Sequence, residues 1–69
     1  MNTVIAKRIK EIRMGNQLSQ SQFGALLSVS QDTVSLWEKG KSIPTAECLS
    51  TICKTFHVSA DYLLGLTDF

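Results

Sequence analysis

The sequence predicts an all-α fold, a compact bundle of five short helices. Three observations lead there. Strand-like alternation is absent, while apolar residues recur at helical spacing in short blocks. Four of those blocks follow a Ser or Thr placed to cap a helix: Ser19, Ser30, Thr45 and Ser59. The 69 residues include one Pro and four Gly, so no linker-like stretch divides them and 1–69 reads as a single domain. A chain of this size buries only about 60% of the surface its unfolded form exposes, so the core is thin.

Each element has its own signal. Ile5, Ile9 and Ile12 lie at i, i+4, i+7 and predict a first helix from about Val4 to Met14. Gly15 and Asn16 should stop it, since both tolerate the left-handed conformation. Ser19-Gln20-Ser21-Gln22 is a capping box, opening a second helix from Gln20 to about Leu27 with Phe23, Leu26 and Leu27 on one face. Ser28-Val29 is a tight connection. Ser30 caps a third helix, Gln31 to Lys39, with Val34 and Trp37 buried, and Gly40 ends it. After the loop Lys41-Ser42-Ile43-Pro44, Thr45 caps a fourth helix carrying the stripe Leu49, Ile52, Cys53 and Phe56. His57 ends that helix. Ser59 caps a fifth, Ala60 to Leu64, ahead of Gly65 to Phe69.

Composition excludes several classes. Hydrophobic residues are 43% and charged residues 19%, too apolar for disorder. No apolar run approaches the ~20 residues needed to span a bilayer. The N-terminus lacks the basic-then-apolar order of a signal peptide, so a cytoplasmic location is expected. Cys48, Cys53 and His57 offer three zinc-type ligands without a fourth, and five residues turn a helix about 140° past its start. No metal or other cofactor is expected, and the two thiols read as small core-edge residues. One His, no nucleophile–base pair and no glycine-rich phosphate loop argue against an enzyme and against a small-molecule substrate.

The charge distribution is more informative than its total of +1. Residues 1–41 hold six basic against three acidic side chains, net +3, whereas residues 42–69 hold one against three, net −2. A basic N-terminal part suits an anionic partner. The second and third helices are short, nearly adjacent, and the later one has a polar outer face, which is the helix-turn-helix pattern. The major groove of B-DNA is about 12 Å wide and admits one α-helix. Such a helix needs an apolar side to dock on its domain, here Val34 and Trp37. It also needs short side chains toward the bases, here Gln31, Asp32, Ser35 and Leu36.

Beyond spacing, specific residues stand in order: Leu18-Ser19-Gln20, Val29-Ser30, Trp37-Glu38-Lys39-Gly40-Lys41, Pro44, and Val58-Ser59-Ala60-Asp61-Tyr62-Leu63-Leu64-Gly65. Over about residues 4–66 the chain resembles the Cro/CI-type helix-turn-helix family, also named for the xenobiotic-response-element repressor. The resemblance implies the lambda-repressor-like fold and a role for each matching position. Gln20 should bond a phosphate with its side chain close to Gln31. Gln31 should read a base, and its amide suits adenine. Ser35 and Leu36 lie one turn on. Leucine departs from the polar or basic residue common at that position and can pack on a thymine methyl. Lys39, Lys41 and Ser42 suit phosphates. Arg13 and Glu38 should pair, linking the first helix to the end of the third and leaving Arg13 able to touch phosphate. The alternative is two independent surface charges. Asp32 has two readings, stabilising the helix N-terminus or accepting from cytosine N4. Ser28 and His57 replace the usual Gly or Asn and should be strained if left-handed.

The function so implied is a sequence-specific DNA-binding transcriptional regulator, a repressor, with double-stranded DNA as partner. It should bind an inverted repeat as a weak homodimer with the third helix in the major groove. Stand-alone domains of this kind are common in prophages and mobile elements. The alternative is the DNA-binding antitoxin of a toxin–antitoxin pair, or another protein-interaction module. Leu64, Leu66 and Phe69 are the expected dimer surface, against the alternative that they fill gaps in the core.

Overall fold

The computed structural model describes residues 2–68. Its helices are α1 (Asn2–Gly15), α2 (Gln20–Leu27), α3 (Gln31–Glu38), α4 (Ala46–Phe56) and α5 (Ala60–Leu63). Ser19, Ser30, Thr45 and Ser59 each accept the backbone N–H three residues on, satisfying a donor that the helix itself leaves unpaired. The Ser19 box is reciprocal: Gln22 N–H donates to Ser19 Oγ at 3.0 Å, and Ser19 N–H to Gln22 Oε1 at 2.8 Å.

All five helices end alike. In each, the N–H two residues past the last turn reaches back five residues: Leu18 to Arg13, Val29 to Gly24, Lys41 to Leu36, Val58 to Cys53 and Leu66 to Asp61. This bond requires a left-handed residue in between. Gly40 and Gly65 supply it at φ 74° and 79°, and Gln17, Ser28 and His57 at φ 59°, 60° and 57°. The end of α1 therefore differs from expectation. Gly15 stays helical and Asn16 is not the left-handed residue. Asn16 instead donates its side-chain amide to Ile12 O at 2.7 Å, and Gln17 makes the reversal. The last turns also shorten α3 and α5 by one residue each, with Lys39 and Leu64 right-handed but outside the helices.

The core takes Ile5, Ile9 and Ile12 from α1, Phe23 and Leu27 from α2, Val34 and Trp37 from α3, Ile52 from α4 and Leu63 from α5. Phe56 stacks on Phe23 with ring centroids 5.4 Å apart. Each fully buried apolar side chain is worth about 1.5–3 kcal/mol. Leu49 and Cys53 pack on this core half-buried, as does Cys48, and both thiols are free. Leu26 is a correction to the predicted inner face, because it is exposed. Successive residues turn about 100°, so Phe23, Leu27 and Gly24 span one face and Leu26 falls about 110° from its centre.

α1 lies against α3 and α5, and α2 against α3 and α4. Gly24 sets the α2–α3 spacing: a Cβ there would stand 2.7 Å from Val29 O and 3.2 Å from Ser30 O. Among the described residues, no helix is long and apolar enough to cross a membrane.

Candidate nucleic-acid interface

The outward face of α3 follows from its buried one. Val34 and Trp37 face the core, and at about 100° per residue Gln31, Asp32, Ser35 and Leu36 take the opposite half of the helix, with Lys39 in the same sector. Gln31 and Asp32 are exposed and Ser35 is half-buried. Leu36 is 43% exposed, high for a leucine on a helix so short. Neither Gln31 nor Asp32 has a hydrogen-bond or ion-pair partner among the described residues. Their polar atoms are available to a ligand at no cost in lost internal bonds. Ser30 caps α3 and also pairs its hydroxyl with Thr33 Oγ1 at 3.0 Å, which stiffens the end that carries them.

A polar strut fixes how α3 sits. Arg13 on α1 donates from Nε to Glu38 Oε2 at 2.6 Å and from Nη2 to Oε1 at 3.0 Å. Its Nη1 donates to Leu18 O at 2.9 Å. Gln20, at the start of α2, donates from Nε2 to Glu38 Oε1 at 3.3 Å. One carboxylate thus receives donors from α1 and α2 and ties both to the last residue of α3. The Arg13 and Glu38 side chains are only 14% and 5% exposed, so solvent screens the pair weakly. The Glu38 hydrogen bond is the main cause that raises the Arg13 pKa above its already high ordinary value.

The structure gives both expected supports a partner inside the fold. Gln20 turns its amide to Glu38. Arg13 commits three of its N–H groups to Glu38 and Leu18 and is largely covered, so it positions α3.

The helix-turn-helix family pattern matches residues 9–63, spanning α2, α3 and every residue of the strut. The chain belongs to the Cro/CI-type helix-turn-helix family. Its relatives in that family are regulators of more than one kind. It is 40% identical over 59 residues to the HTH-type transcriptional activator BcrR of Enterococcus faecalis, covering 86% of this chain and 29% of that protein. It is 34% identical over 65 residues to Repressor protein C2 of Salmonella phage P22, covering 93% and 30%. It is 32% identical over 62 residues to Antitoxin PezA of Streptococcus pneumoniae serotype 4, covering 90% and 39%. The chain spans less than half the length of each of these relatives. Its fold matches the crystal structure of the P22 c2 repressor protein in complex with synthetic operator 9T in the presence of Tl+. That match has a TM-score of 0.79 at 30% identity and covers 86% of this chain and 89% of that one. The all-helical architecture is therefore lambda-repressor-like.

Within this Cro/CI-type fold, the positive groups follow α3. Lys39 and Lys41 are exposed on either side of the left-handed Gly40, and Lys41 N–H bonds Leu36 O at 3.0 Å. Ser42 is half-buried beside the exposed Ile43, and buried Pro44 anchors the loop. Of the expected dimer residues, Leu64 is half-buried against the core, Leu66 is 72% exposed, and Phe69 lies outside the described residues.

Sequence reasoning passed over Gly24, whose signal was a glycine inside a predicted helix. It also passed over a cluster joining α1 to α5. Arg8 sits 4.1 Å over the Tyr62 ring, and the Tyr62 hydroxyl reaches Glu11 Oε2 at 3.5 Å. Contacts between residues 51 apart carry no local signal. Among the described residues no three of His, Cys, Asp and Glu gather closely enough to hold a metal ion.

Proposed function

We propose that this chain binds double-stranded DNA sequence-specifically as a homodimer on an inverted repeat, with α3 in the major groove, and represses transcription by occupying its site. The observation that carries the reading is the pairing of an unbonded outer face on α3 with a strut that holds the helix rigidly from behind. Gln31, Asp32, Ser35 and Leu36 face the bases. Lys39, Lys41 and Ser42 meet phosphates, with Gln20 and Arg13 as the supports of α3 that lie nearest the backbone. Leu66, with Leu64 and Phe69, pairs the two copies.

Selection of bound duplexes from random DNA, followed by titration over a range of salt, tests this directly. Each phosphate that a lysine neutralises adds about 0.9 to the slope of log affinity against log salt. Lys39→Ala and Lys41→Ala should each weaken all duplexes alike and lower the slope by about 1. Affinity that ignores salt, or a pool that yields no consensus, overturns the reading. An antitoxin role is the second reading, favoured by the likeness to PezA and by the outward Leu36. Co-purification with an unrelated small protein at fixed stoichiometry would favour it.

A further inference from the structure

We propose that α3 carries a reader for 5-methylcytosine, formed by Asp32 and Leu36 together. This rests on the DNA reading above and names one base within it. Asp32 and Leu36 stand at i and i+4 on the outward face of α3, so their Cβ atoms are about 5–6 Å apart along one ridge of the helix. Asp32 is exposed and unpaired among the described residues, and Leu36 is 43% exposed. Each is the wrong residue for a surface that meets only phosphate. A carboxylate is repelled by the backbone, and leucine donates nothing to it. Each becomes the right residue against one kind of base edge.

An ionised carboxylate only accepts. The donors on the major-groove edge are cytosine N4 and adenine N6. Adenine sets its N7 acceptor beside N6, so a carboxylate there meets a second acceptor. Guanine and thymine offer acceptors at the corresponding atoms. Cytosine sets a carbon, C5, beside N4. An acceptor beside an apolar side chain is therefore the complement of cytosine. A methyl on C5 fills the apolar half of that complement as the thymine methyl would, without replacing the amino group by the carbonyl that Asp32 would repel. Asp32 lies in the first turn of α3, where a carboxylate also complements the helix dipole.

The test uses the full chain and duplexes selected by it from random DNA. Each cytosine of the selected half-site is replaced singly by 5-methylcytosine or by thymine, and each thymine by uracil. One cytosine position should bind about fourfold tighter when methylated, the effect of burying one methyl group. Thymine at the same position should bind more weakly than either cytosine. Leu36→Ala should abolish the methyl gain and keep cytosine over thymine. Asp32→Asn should lose cytosine over thymine and keep the methyl gain. Both residues lie outside the core, and equal melting temperatures check that each variant folds. Methylation without effect at every cytosine overturns the inference while leaving DNA binding intact, as does a methyl gain that survives Leu36→Ala. Selection that yields no bound duplex overturns the DNA reading and this inference with it.

Discussion

Gln17, Ser28 and His57 carry side chains in a conformation that glycine adopts more cheaply, at roughly 1–2 kcal/mol for a residue with a Cβ. Replacing Ser28 by glycine removes that strain but adds freedom to the unfolded chain, and the first effect is the larger. Ser28→Gly should therefore raise stability by a few tenths to about 1 kcal/mol, read as a higher urea midpoint. A lower midpoint would mean that the Ser28 hydroxyl stabilises the turn more than its backbone strains it. Two of these three residues, Ser28 and His57, were legible through the family resemblance, because they stand where Gly or Asn is usual. Gln17 was not. Gly15 and Asn16 precede it, both tolerate the left-handed region, and only the bond from the Asn16 amide to Ile12 O moves the reversal one residue on. On the outer face, Gln31 is exposed and unbonded, so its amide can meet a base without first breaking an internal bond. Gln31→Ala should relax preference at one base pair and cost about 1–3 kcal/mol on the best site. An unchanged consensus would remove Gln31 from the reading face.

Between elements, the orientation of α3 depends on Glu38, which receives Arg13 from α1 and Gln20 from α2. Truncating one partner leaves the other charge half-covered and unpaired, so Glu38→Ala should cost about 1–3 kcal/mol, below the range for a fully buried pair. A double-mutant cycle with Arg13→Ala should show strong coupling, and additive losses would make the strut two separate contacts. Alkaline pH should not break it. The hydrogen bond raises the Arg13 pKa, so its contribution is fully present below the ordinary arginine value and is lost only above the raised one. The α2–α3 turn depends instead on the missing side chain of Gly24. Gly24→Leu must push Val29 O away and should cost at least about 1–3 kcal/mol, measured by chemical denaturation. Helix positions and caps were legible because periodicity, Ser or Thr caps and reversals all agree locally. The Arg13–Glu38 pair was legible only through the family resemblance, since the residues are 25 apart. The bond from the Gln20 amide to Glu38 was not legible, because a long side chain has several rotamers and sequence spacing does not choose among them.

For the whole molecule the question is how much DNA one copy can read. A single eight-residue α3 presents four outward side chains and spans only a few base pairs. Two-fold pairing doubles the site, with half-sites about 34–36 Å apart on one face of the duplex. The charge split suits this arrangement, because the acidic part, residues 42–69, includes α5 and the segment after it while the basic part includes α3. Within the expected surface the residues differ in burial. Leu64 is half-buried on the core, and replacing it would disturb the fold. Leu66 is held in place by its N–H to Asp61 O at 2.8 Å, yet its side chain is 72% exposed. Leu66→Ser therefore tests pairing without removing core packing, and its melting temperature at low concentration should match the parent. Binding to a full inverted repeat should weaken severalfold and lose cooperativity, while binding to an isolated half-site stays constant. Gel shift on the two duplexes in parallel reads both quantities. Equal weakening on both would place Leu66 in support of the fold and the pairing surface elsewhere, and no change on either would remove it from both.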